Sequence, residues 1–176
     1  LVASVIGSTD AASVFNILRS KNLNLKENTA SLLEMESGSN DPVSYMLTVI
    51  LTAVLTGQSV NIGSMLFFQV FFGIGCGVLF GKSTAVVLNQ VDFDIAQGKT
   101  ILVFAAAILA YTVPSMIGGN GYLSVYLCGI ILGNSYLPHK RDMVLFFDVL
   151  TGVAQMMIFF LLGLLVTPSE LPQVIL

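Results

Sequence analysis

Three observations predict an all-α fold, a multi-pass bundle of transmembrane helices. The chain is 55% hydrophobic and only 10% charged, with a mean hydropathy of +0.88, whereas a soluble domain carries about 25% charged residues. Several apolar runs approach the roughly 20 residues that a helix needs to cross the hydrocarbon core. With those runs taken as spans, all 7 Lys and Arg residues fall on one side of the membrane, which is the positive-inside pattern. The formal net charge is −3 and there is no basic tract, so no nucleic-acid partner is expected.

Six spans follow in order. Span one covers 1–18 and opens within an apolar run, with Leu at position 1 and no n-region. A piece of one larger transmembrane domain is therefore expected. Span two, 29–56, brings Glu34, Glu36 and Asp41 to the head of a long apolar run. Span three, 62–88, spaces Gly73, Gly77 and Gly81 four apart, which lets a neighbouring helix approach closely. Span four is 99–117, span five a short 121–133, and span six 143–166, stopped by "TPSELP". Arg19, Lys21 and Lys26 lie in the first connection, Lys82 and Lys99 flank the third, and Lys140 and Arg141 lie in the fifth. The loops near 19–28, 89–98 and 134–142 are thus expected on the cytoplasmic side. Cys76 and Cys128 sit in apolar runs and read as small core residues, with no metal or disulfide spacing.

The acids inside the spans carry the chemistry. At 1.5 Å per residue, Asp10 lies roughly 13 Å and Asp41 roughly 18 Å from the cytoplasmic ends of their helices. In a core about 30 Å thick, both carboxylates reach the middle of the membrane on sequential, antiparallel helices. Ionisable groups at that depth mark ion pathways or proton relays. Span one carries "GSTDAAS" in mid-run. Gly7 weakens a helix, and Ser8, Thr9 and Asp10 compete for backbone hydrogen bonds. The segment either unwinds, exposing carbonyls and hydroxyls as at transporter ion sites, or continues with Ser and Thr bonded to their own turn. A broken helix at mid-membrane is the expectation.

On span two, Ser37 and Asp41 share a face, and Glu36 and Asn40 share a neighbouring one. Pro42 has no N–H, so the Gly38 carbonyl loses its helical donor beside Asp41. Desolvation disfavours the charged form of a carboxylate, so such a group takes up a proton readily. Deprotonated, the same oxygens bind a monovalent cation. One site holding either a proton or a cation is the minimal chemistry of an exchanger.

"STDAASVF", followed about twenty residues later by "LEMESGSNDP", resembles the NhaP-type branch of the monovalent cation:proton antiporters. "GNGYLSVYLCGIILGN" and "QMMIFFLLGLLVTPSEL" are similar to that family's later helices. The resemblance implies part of an inverted-repeat antiporter fold, in which a core bundle moves against a dimerisation bundle. It implies a homodimer in the cell (inner) membrane, exchange of H+ for K+ or Na+, and no cofactor. Asp41 would be the exchanging carboxylate. Asn40 stands where electrogenic relatives carry a second Asp, so exchange would be electroneutral. Thr9 and Asp10, from the unwound helix, and the Ser37 hydroxyl would complete the cation site. Glu36 would pair with an Arg on a later helix and serve structure. Glu34 matches no role.

Two other classes fit less well. An intramembrane aspartyl protease also needs two membrane carboxylates sharing a proton, but no Gly-x-Gly-Asp segment is present. A channel takes its selectivity ring from symmetric subunits, which an asymmetric acid pair does not provide. His139 reads as a solvated loop residue, and Gln69 and Gln155 as interhelical glue.

Overall fold

The computed structural model describes residues 1–8, 29–57, 61–91, 96–137 and 140–165. Six helices lie among the described residues: α1 (Val2–Ile6), α2 (Thr29–Leu55), α3 (Ile62–Gln90), α4 (Ala96–Met116), α5 (Gly121–Asn134) and α6 (Lys140–Leu165). The chain divides into two compact units, Leu1–Lys140 and Arg141–Leu176. On length and composition, α3, α4 from Gln97, and α6 are each able to cross a membrane. The acids at the head of α2 lower its apolarity, although its 27 residues span about 40 Å at 1.5 Å each.

Helix boundaries differ from the apolar runs by a few residues. Helix α4 starts at Ala96 rather than 99, and α6 at Lys140 rather than 143. The reason is physical: a helix continues to satisfy its backbone beyond the greasy stretch, and the stems of Lys and Arg cover apolar surface there. Lys99, within the first turns of α4, is buried to 8% exposure.

In the first unit α5 is the centre, packing on α2, α3 and α4, while α1 pairs with α2. The most extensive contact, α3 against α5, is built on the glycine stripe. A Cβ on Gly77 would lie 2.7 Å from the Ser124 carbonyl oxygen, and one on Gly81 3.2 Å from the Cys128 Cα. Close packing, expected from the spacing, is what the glycines provide. Cys76 and Cys128 are both free thiols, the second buried in this contact.

Helix α6 buries only Met143 and Gly152 lies half-buried, while Phe159, Phe160, Leu162 and Leu164 are exposed. Such a face is stable in hydrocarbon and not in water. The chain is part of an integral membrane protein.

Candidate site at the junction of α1, α2 and α5

Helix α1 stops at Ile6, capped by the Gly7 N–H donating to the Ala3 carbonyl at 3.0 Å. Gly7 and Ser8 form a turn, as poor helix formers in sequence favour. Helix α1 thus ends next to the stretch in which the sequence predicts a break. Thr9 and Asp10 lie outside the described residues.

Hydroxyls stitch this end of α1 to α2. Ser8 Oγ donates to Asp41 Oδ1. Thr48 Oγ1 donates to Ser4 Oγ at 3.1 Å, and Ser4 Oγ to the Leu1 carbonyl at 2.7 Å. Rising number along α1 meets falling number along α2, so the two run antiparallel. In the sequence Ser8 stands out only as part of the helix-breaking stretch. Its bond to Asp41 spans 33 positions and depends on the register between helices, which no local pattern reveals.

Asp41 is half-buried and lines a cavity of about 530 Å³ with Gly38, Ile108, Tyr111, Tyr122 and Tyr126. The wall is aromatic. Tyr122 packs 4.9 Å from Tyr45 and 5.3 Å from Tyr111, centroid to centroid. The Tyr126 ring lies so close to Gly38 that a Cβ there would meet Cε2 at 2.7 Å. Its Oη donates to the Met35 carbonyl at 3.3 Å. Nothing in the sequence pattern joined these tyrosines to Asp41.

The other expected residues are distributed around α2. Ser37, one turn before Asp41, is 2% exposed. Asn40 and Glu36 line a separate cavity of about 360 Å³, with Ala3, Ser4 and Gly7 of the α1 segment. Asp41 and Asn40 therefore face different cavities despite being neighbours, because successive helical residues point about 100° apart. Among the described residues no three His, Cys, Asp or Glu side chains cluster. Beside Asp41 stand the Ser8 hydroxyl and the aromatic wall of the cavity.

The family model described as "Sodium/hydrogen exchanger, transmembrane" matches residues 1–176. The chain belongs to this family. Among its relatives, the K(+)/H(+) antiporter NhaP2 of Shewanella oneidensis is 38% identical over 175 residues, covering 97% of this chain and 30% of the relative. The K(+)/H(+) antiporter NhaP of Alkalimonas amylolytica is 36% identical over 174 residues, with coverage of 97% and 30%. The low-affinity Na(+)/H(+) antiporter NhaS1 of Synechocystis is 29% identical over 173 residues, with coverage of 93% and 32%. The chain thus spans about 30% of the length of the curated relatives it matches. These relatives are named as antiporters, not enzymes, and the aspartyl protease finds no support among them. No solved structure matches the chain significantly.

Proposed function

We propose that the protein exchanges protons for monovalent cations across the membrane by alternating access, with Asp41 as the carboxylate that carries each in turn. The observation that carries this reading is the Ser8–Asp41 bond in a member of the exchanger family. It ties the acid to the C-terminal end of α1, and the last carbonyls of a helix are the groups that lack an intrahelical partner and can ligate an ion. Asp10, Thr9, Ser37 and Asn40 complete the site, joined by Ser8. Protonated Asp41 is neutral, and so is Asp41 paired with a cation. Asn40 adds no charge and Asp10 contributes equally to both states, so the loaded site carries the same charge on both halves of the cycle, and exchange of one proton for one cation is electroneutral. The tyrosine-lined cavity offers hydroxyls and ring faces to an approaching cation.

Potassium is the first cation to test, because the relatives at 36–38% identity are named for it and the sodium-named one is at 29%. The six spans form part of one exchanger domain, working as a homodimer in the inner membrane. The loops near 19–28, 89–98 and 134–142 face the cytoplasm, and Glu36 pairs with an Arg of a later helix. Proton flux in everted vesicles holding the full-length protein tests the reading. With an acidic interior preset, potassium or sodium is added and collapse of the pH gradient followed. Collapse with potassium is expected. No collapse with either ion, in vesicles shown to contain folded protein, would refute it.

A further inference from the structure

Asn120 is completely buried, at 0% exposure, and no role attaches to it from its place in the short turn "GGN". The turn is shaped to insert it. Gly118 adopts φ +80°, which a residue with a side chain rarely adopts. The Gly119 N–H donates back to the Pro114 carbonyl at 2.7 Å. A Cβ on Gly119 would lie 2.7 Å from the Phe72 Cβ, and one on Gly121 would collide with Ser115 and the Tyr111 carbonyl. The glycines on both sides thus let the Asn120 backbone sit deep between helices.

Once there, Asn120 joins three helices. Its backbone N–H donates to the Gln69 carbonyl of α3 at 3.0 Å. Its Oδ1 accepts from the Leu123 N–H at 3.1 Å, capping α5. Its Nδ2 donates to the Pro42 carbonyl of α2 at 2.9 Å. The last bond is not needed for the cap. It lands on the residue covalently next to Asp41, in the stretch where Pro42 has already removed a helical hydrogen bond. That stretch has lost a local restraint and gained a distant one.

We infer that Asn120 is a positioning residue for Asp41: by holding the Pro42 carbonyl, it fixes the Asp41 backbone against the α3–α5 scaffold, and so sets how well a cation competes with the proton there. This rests on the exchanger reading above. Ligand geometry at a site tolerates little displacement. Loosening the Pro42 anchor weakens the cation more than the proton, because the cation needs several ligands at once and the proton needs one oxygen.

The test uses Asn120→Ser and Asn120→Thr in the full-length protein, since Ser and Thr both serve as N-caps. Both hydroxyls are too short to reach the Pro42 carbonyl while capping α5. Potassium-driven proton flux is read in vesicles against the amount of folded transporter. The expected result is a rise of about fivefold in the potassium concentration for half-maximal flux, the size of one lost hydrogen bond. The acid limb of the flux profile should also move to higher pH, because a weakened cation displaces the proton only when protons are scarcer. Wild-type values for both, with only the yield lowered, would reduce Asn120 to a cap and overturn the inference. Failure of both variants to accumulate would overturn it too, marking a folding residue. A wild-type protein without cation-dependent flux would instead bring down the exchanger reading, and the positioning role with it.

Discussion

The α1–α2 pair and the α3–α5 trio are made from similar apolar runs but are joined by different means. Hydroxyls link the pair, Ser8 to Asp41 and Thr48 to Ser4. Glycines link the trio, with α5 lying against Gly73, Gly77 and Gly81. Hydroxyl joints leave oxygen atoms within reach of an ion and hold the helices through single bonds. Glycine joints bring backbones together over a long surface. On the reading proposed above, the pair carries the chemistry and the trio supports it, through residue types that hydropathy alone ranks close together.

The largest expected effect breaks the pair. Asp41→Ala should abolish cation-dependent proton flux, and Asp41→Glu should weaken it by misplacing the carboxylate, both read in everted vesicles. Next in size is a break in the trio. Gly77→Ala puts a Cβ 2.7 Å from the Ser124 carbonyl oxygen, and overpacking of this kind costs about 1–3 kcal/mol. Gly75→Ala meets nothing within 4 Å and should leave the thermal midpoint in detergent unchanged or raised. Equal losses in the two variants would show that the stripe does not carry the packing.

Smaller effects sharpen the contrast. Ser8→Ala removes a hydroxyl bonded to a carboxylate, and should raise the half-maximal cation concentration about tenfold while leaving the thermal midpoint nearly intact. An unchanged cation dependence would take Ser8 out of the site. The smallest structural effect is expected for Asn40→Asp, on the Glu36 side of α2. The protein should fold, and its flux should become sensitive to an imposed membrane voltage. Flux indifferent to voltage would separate Asn40 from the charge balance.

Much of this division was legible in the sequence, and the reasons differ by element. The long helices follow from apolar runs, because hydrophobic length is a local property. The glycine stripe was legible because i, i+4 spacing fixes a face whatever packs on it. Asp41 stood out because an acid deep in an apolar run is costly. Ser8, Asn120 and the tyrosines were not legible as parts of one site. The Asn120–Pro42 bond joins positions 78 apart, and no pattern along the chain encodes the register of one helix against another. The separation of Asn40 from the Asp41 cavity shows the same limit. The sequence makes them neighbours, while the rotation of α2 decides what each one faces.

Proton release on cation binding tests the exchanging carboxylate most directly. Purified full-length protein, in lightly buffered solution near the pH of half-maximal exchange, is titrated with potassium and then with sodium while the pH is followed. Protons released in step with bound cation, and lost in Asp41→Asn, are the expected result. Cation binding without release in the wild type, or release that survives in Asp41→Asn, would contradict exchange at Asp41.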